Sequence, residues 1–166
     1  MMKILVFSDT HGYTTQMHEI ISRKRAGTDL VIHLGDHYRD IDEVSRDFPA
    51  IAFLGVRGNC DFLANDDYPQ SRTFSYDGHK FFLTHGHMQA VKKDSYALLT
   101  LEAKKNGCDI ALFGHTHVNT YKEVNGITVF NPGSISSPRD FTGGTYGVIT
   151  IDKGNVKFEI KELGKD

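Results

Sequence analysis

The strongest constraint on this 166-residue chain is a repeated pattern, a short apolar run that stops abruptly at a polar loop. It occurs at Lys3-Ile4-Leu5-Val6-Phe7, Leu30-Val31-Ile32-His33-Leu34, Ile51-Ala52-Phe53-Leu54 and Ile110-Ala111-Leu112-Phe113. Runs this short and this apolar, without polar alternation, read as strands buried on both faces. Helical patterns separate the first three. Met17, Ile20 and Ile21 share one face of a helix that Thr14 or Thr15 caps, that runs to about Arg25 and that Gly27 stops. A short helix is expected over about 41–47. Strand, helix, strand, helix, strand is the order of a parallel sheet with crossover helices.

The second half has another rhythm. Asp77-Gly78, Asn125-Gly126 and Lys153-Gly154 each separate two strand-like segments and predict hairpins. An amphipathic helix is expected over 91–105, with Val91, Ala97, Leu98 and Leu101 inward and Gly107 as its stop. No repeat, low-complexity tract or linker interrupts the chain, so residues 1–166 are expected to form one domain. So many strands fit two facing sheets with helices outside.

Every core strand is followed by a loop carrying carboxylate, amide or imidazole groups: Asp9 and His11, Asp36, Asn59 and Asp61, His85, then His115 and His117. Loops beyond the carboxyl ends of parallel strands converge on one crevice. Each residue alone has a plainer reading, as a helix cap, a turn residue or a satisfied histidine. Together these loops choose metal-ligand residue types at one end of a sheet, beside Gly12, Gly35, Gly58, Gly86 and Gly114. The seven donors Asp9, His11, Asp36, Asn59, His85, His115 and His117 exceed the three or four protein ligands of one catalytic zinc. They suit two metals sharing a carboxylate. Mixed nitrogen and oxygen donors suit manganese, nickel, zinc, iron or cobalt.

Composition narrows the partners. A net charge of −2 leaves no broad basic footprint for duplex nucleic acid. No run approaches the roughly 20 apolar residues of a membrane span. Cys60 and Cys108 make no disulfide framework, and no export signal is read at the N-terminus, so a cytoplasmic location is expected.

Asp9-Thr10-His11, Gly35-Asp36, Gly58-Asn59-Cys60-Asp61, Thr84-His85-Gly86-His87 and Gly114-His115-Thr116-His117 stand in the order seen in the calcineurin-like metallophosphoesterases, which the chain resembles over essentially its whole length. Its size and the Asn131-Pro132-Gly133-Ser134 loop look like the small YfcE-type phosphodiesterases, a group whose fold the retromer sorting scaffold shares. The resemblance implies an α/β fold, a four-layer α/β/β/α sandwich of two mixed β-sheets flanked by helices. It implies a dinuclear centre, manganese being favoured, in which Asp9, His11, Asp36 and His117 hold one divalent ion. Asp36, Asn59, His85 and His115 hold the other, Asp36 bridges, and a bridging water or hydroxide attacks the phosphodiester. Asp36, Asn59, His85 and His87 are the expected catalytic residues, His87 as a phosphate contact or a support for the ligands. His37 is similarly placed. Arg57 and Arg139 are candidate anion contacts or surface ion pairs. His18, His33 and His79 are assigned to structure.

One position departs from the wider family. Cys60 stands where a histidine general acid is usual, and it is expected to be a small buried residue. A small phosphodiester is the expected partner, with possible self-assembly suggested by relatives. The alternative is a protein-interaction scaffold on the same fold with little or no catalysis. A nuclease lacks a DNA-binding appendage here, and Tyr38 stands one position short of a purple acid phosphatase tyrosine ligand.

Overall fold

In the computed structural model, which describes residues 1–62, 68–93, 95–140 and 143–165, the chain builds two five-stranded sheets and three helices. The first sheet holds β1 (Met2–Phe7), β2 (Leu30–His33), β3 (Ala52–Gly55), β9 (Thr145–Asp152) and β10 (Asn155–Glu162) in the order β10-β9-β1-β2-β3. The second holds β4 (Ser71–Tyr76), β5 (His79–Thr84), β6 (Ile110–Leu112), β7 (Thr120–Val124) and β8 (Ile127–Asn131) in the order β4-β5-β6-β8-β7. Helices α1 (Thr15–Lys24) and α2 (Arg39–Ser45) belong to the first half, α3 (Ala97–Lys105) to the second. Strands β1, β2 and β3 run parallel, as do β5, β6 and β8. Both sheets are mixed, because β9 and β4 pair antiparallel.

The layers follow from strand alternation. Ile4, Val6, Leu30 and Ile32 face Phe81, Leu83, Ile110 and Leu112 between the sheets. Leu5, Phe7 and Val31 point the other way, onto Met17, Ile20 and Ile21 of α1 and Val44 of α2. Phe82, Ala111 and Val129 point outward from the second sheet onto Leu99 and Ala103 of α3. Three apolar seams thus separate four layers. Each fully buried aliphatic side chain in them contributes about 1.5–3 kcal/mol.

The three expected hairpins form, and Asp77, Asn125 and Lys153 all take positive φ ahead of glycine. The helix expected over 91–105 does not form as one piece. Val91–Lys93 is a 3-10 turn, and α3 begins only at Ala97; residue 94 lies outside the described residues. That break resets the helical phase. Leu99, Thr100 and Ala103 face the sheet, while Ala97 is exposed and Leu98 and Leu101 are 48% and 47% exposed. Thr14 precedes α1 but caps nothing with its side chain; its hydroxyl donates to Glu43 instead.

Candidate metal centre

The carboxyl ends of β1, β2, β3, β5 and β6 point to one edge of the sandwich, and the loops leaving them meet there. Close approach depends on missing side chains at two points. A Cβ on Gly58 would lie 2.2 Å from Asp36 Oδ1, and one on Gly114 would lie 2.0 Å from Ser8 Oγ. Asp9, His11, Asp36, His37, His115 and His117 all take left-handed backbone with φ between 49° and 76°. Such conformations cost free energy at non-glycine residues and persist only where the surroundings over-determine them. Here six fall within one loop cluster.

Asp9 is fully buried. Its Oδ2 accepts from Ser8 Oγ at 2.6 Å and from the His115 backbone N–H at 3.0 Å. Its Oδ1 is buried with no hydrogen bond, 3.3 Å from His117 Nε2 and 3.8 Å from His85 Nε2. Asp36 directs Oδ1 toward His85 Nε2 at 3.5 Å and Oδ2 toward His11 Nε2 at 3.9 Å. The Cys60 backbone N–H donates to Asp36 Oδ1 at 2.9 Å. Ligand atoms of Asp9, His11, Asp36 and His117 all lie within 4.8 Å of one another.

The imidazoles are oriented from behind. His85 Nδ1 donates to the Leu34 carbonyl at 2.7 Å, and His117 Nδ1 donates to the Ser137 carbonyl at 2.6 Å. Both rings therefore turn Nε2 toward the carboxylates, and the neutral form of each leaves that nitrogen bare. This second hydrogen bond to a backbone carbonyl is the arrangement that metal-ligating histidines use. His11 Nε2 also faces His117 Nε2 at 3.3 Å. Two imidazole nitrogens at that separation share a proton or face a common cation.

The titration behaviour agrees. Burial alone would lower His117, but the Asp9 carboxylate 3.3 Å from its Nε2 and the Ser137 carbonyl hold it above the usual imidazole range. Burial is likewise overcome at His85, by Asp36 and Asp9. Burial pushes Asp9 and Asp36 up, yet the His117 and His85 contacts hold both below the usual carboxylate range. Burial, opposed by Asp36 and Asp9, still lowers His11. His115 is pushed down to about 4 by burial and by the charge on His85.

Asn59, His87 and His115 lie to one side. The His115 ring is 5.0 Å from that of His85, and His87 is 5.4 Å from His85. Asn59 is exposed, with its amide on the Cys60 thiol at 3.4 Å. Asn59, Arg57, Gln70 and His87 line a cavity of about 350 Å³. Among the described residues, only the Asp9-His11-Asp36-His117 group gathers three or more carboxylate, imidazole or thiolate donors so closely. Cys60 is exposed rather than buried, because its loop turns outward once its N–H has bonded Asp36. Burial and the Asp36 charge push its thiol up to about 11. Arg139 is exposed and donates its backbone N–H to His117 O. His18 and His79 pair with Asp47 and Asp109 at the surface.

Several supporting residues escape a reading of the sequence. Thr10 Oγ1 donates to Asp40 and pairs with His33 Nε2 at 2.9 Å, while the Gly35 N–H donates to His33 Nδ1 at 3.2 Å. The only consistent proton arrangement has neutral His33 donating from Nε2 to Thr10. Asp40 also accepts from Gly12 N–H, so one buried chain ties the His11 loop to the Asp36 loop. On the far side Ser134 and Ser136 donate to Asp9 O, and Asn131 Nδ2 donates to Gly114 O. Buried polar residues just after an apolar strand were the available signal. Their partners lie on other loops, well separated along the chain, so the pairings themselves were not visible.

A fold of two mixed sheets with a carboxylate-imidazole centre at one edge is that of a metallophosphoesterase. The calcineurin-like phosphoesterase superfamily domain matches residues 2–154, and the chain belongs to that family. A probable metallophosphoesterase of Bacillus subtilis, YsnB, is 33% identical over 162 residues, covering 95% of this chain and 90% of the relative. Phosphodiesterase YfcE of Escherichia coli is 27% identical, covering 92% and 89%. The crystal structure of a conserved uncharacterised protein of Streptococcus pneumoniae, a predicted phosphoesterase, superposes with a TM-score of 0.79 at 28% identity, covering 97% and 89%. Zinc-bound Vps29 of Entamoeba histolytica shares the fold, with a TM-score of 0.71 at 20% identity over 97% and 99% of the two chains.

Proposed function

We propose that this protein is a dinuclear metal-dependent phosphodiesterase. Asp9, His11, Asp36 and His117 would hold one divalent ion, and Asp36, Asn59, His85 and His115 the other. The observation that carries this is the pair of buried, unpartnered atoms, Asp9 Oδ1 and His85 Nε2, facing one another beside an Asp36 whose two oxygens serve different imidazoles. Such donors suit manganese, with nickel, zinc, iron or cobalt as alternatives. Two bound divalent ions would neutralise phosphoryl charge and make water nucleophilic near neutral pH.

The chain's own residues do the rest. Asp36, held ionised, presents an oxygen to each half. The carbonyls of Leu34 and Ser137 keep His85 and His117 in the tautomer that leaves Nε2 bare. His87, lowered by burial and by His85, stays neutral and is placed to donate a hydrogen bond to a phosphate oxygen. Cys60 keeps its proton at neutral pH and is a weak donor to a leaving alkoxide.

No helix among the described residues is long and apolar enough to cross a membrane. We infer a small phosphodiester as substrate, acted on in the cytoplasm, without a stable nucleic-acid partner.

The test is metal content combined with hydrolysis of bis-(p-nitrophenyl) phosphate. We expect two ions per chain, loss of activity on chelation and recovery with manganese, and an inert Asp36→Asn variant. A wild-type protein that binds two ions and cleaves neither diesters nor monoesters would instead support the scaffold alternative.

A further inference from the structure

Beside the metal centre lies a second feature that metal binding does not use. A cavity of about 270 Å³ opens between the loop after β2 and the loop after β3, lined by His37, Tyr38, Arg39, Cys60, Asp61 and Phe62. Its inner rim is next to the reacting position. His37 follows Asp36 directly, and its ring lies 5.8 Å from that of His11, while Cys60 donates its N–H to Asp36.

The walls are built rather than incidental. Asp61 accepts from the backbone N–H groups of His37 and Tyr38 at 2.7 and 3.1 Å, and from Gly58 at 2.7 Å. One buried carboxylate thus fixes the separation of the two loops. Tyr38 is packed against Tyr68 with ring centroids 4.7 Å apart, which fixes one aromatic wall. Phe62 also lines the cleft and is 90% exposed, the most exposed large apolar side chain among the described residues. Arg39 places its guanidinium 5.9 Å from the Tyr38 ring centre. The His37, Tyr38 and Phe62 rings and the Arg39 guanidinium along this open cleft offer stacking and cation–π contacts to a flat, electron-rich ring. The volume falls just below the usual range for whole ligands, so it suits one arm of a substrate.

We propose that this cleft is the subsite for one ester arm of the substrate, and that the arm carries a flat heteroaromatic ring system, as a nucleoside does. The inference rests on the phosphodiesterase reading for the position of the phosphate, and it narrows the substrate class to nucleoside phosphodiesters. The phosphoryl group sits at Asp36, and the base reaches outward between Tyr38 and Phe62. Arg39 covers its outer edge.

The test compares adenosine 5′-monophosphate with ribose 5-phosphate, which share phosphate and sugar and differ only in the base. Binding of each to the manganese-loaded protein is measured by calorimetry, independently of turnover. Stacking of a base on an aromatic side chain is worth about 1–3 kcal/mol, so we expect the nucleotide to bind roughly tenfold tighter or more. In Phe62→Ala and in Arg39→Ala the ratio should fall toward one, with an unchanged melting temperature, since both side chains are exposed. Equal affinities in the wild type, or a preference that survives Phe62→Ala, would overturn the subsite. If the base preference is found but bis-(p-nitrophenyl) phosphate is not hydrolysed, the catalytic reading fails and the subsite stands. Hydrolysis without base preference would remove the subsite and leave the catalytic reading in place.

Discussion

The two halves of the proposed metal centre are built differently. Asp9, His11, Asp36 and His117 already stand within 4.8 Å of one another, in a pocket where three of the four are buried. His85 is equally buried, but its partners His115 and Asn59 stand further off, the latter exposed to solvent. The first half is braced on two sides, by the Thr10–His33–Asp40 chain and by Ser134, Ser136 and Ser137. The second half is braced at His85 by the Leu34 carbonyl and at the His115 backbone by Asp9, while the exposed Asn59 amide rests on the Cys60 thiol. Ligands held in place lose little entropy when a cation arrives, whereas ligands that must move lose more. The first half should therefore bind its ion more tightly.

The largest effect should come from removing one imidazole from each half. His117→Ala should lose the tighter ion and His115→Ala the weaker one, each leaving about one metal per chain. Either should depress kcat by on the order of a thousandfold or more, since several kcal/mol of charge stabilisation are lost. Metal analysis of the dialysed variants checks this. Two tightly retained ions in either variant would break the assignment.

A smaller effect should follow from loosening the brace. Thr10→Val removes the hydroxyl between His33 and Asp40 and leaves buried polar groups unpartnered, costing about 1–3 kcal/mol of stability. Loss of such supporting contacts typically weakens metal affinity by about 10–100-fold. The loss should fall on the first half only, and Thr10→Ser should restore it. Chemical denaturation and metal titration measure the two consequences separately. Equal weakening of both ions would mean that the halves are one unit.

The pH response sharpens the contrast by sign. Without metal, His85 and His117 have pKa values raised by their carboxylate contacts. The stability they supply is complete below their unfolded value of about 6.5 and is lost as pH rises through the folded values. Asp9 and Asp36, held low, supply stability above about pH 4 and lose it on acidification. These four groups together favour the metal-free fold most between about pH 4 and 6.5, against His11, His33 and His87, whose lowered pKa values act in the opposite sense there. Cations displace the imidazole protons, so metal affinity grows as pH rises. With manganese in excess, Tm should climb from about pH 6.5 to 8 while the metal-free Tm falls. His115, held down to about 4, stays neutral in the folded chain while the unfolded chain protonates it below about 6.5, so it opposes the metal-free gain at acid pH and adds little above about 6.5. Parallel slopes with and without metal would contradict this.

The smallest effect is expected at Cys60. Its backbone N–H holds Asp36 and survives the substitution, and aryl leaving groups need little protonation, so Cys60→Ala should keep kcat on aryl diesters within about tenfold despite losing the thiol's contact with Asp36. A loss of a hundredfold or more would make the thiol a participant.

Much of this architecture was legible because it is locally encoded. The short β-branched run Leu30-Val31-Ile32 forms the interior strand its pattern favours, and Asp77-Gly78 forms the turn its residues favour. The helix over 91–105 misled because periodicity assumes an unbroken phase, and the 3-10 turn at Val91–Lys93 resets it. Cys60 misled because composition favours burial of a thiol, whereas the loop's bond to Asp36 turns it outward.

By itself the sequence determined which residues could ligate metal and that they follow parallel strands, since residue type and strand order need no coordinates. Only the tertiary structure decided which donors come together and how. His117 meets Asp9 because β6 and β1 end at the same edge of facing sheets, and its tautomer is set by Ser137 on a third loop. The first of those contacts joins the two ends of the chain's long middle, and the second spans 20 positions. Distances between lone pairs depend on packing across both sheets, which no local pattern encodes.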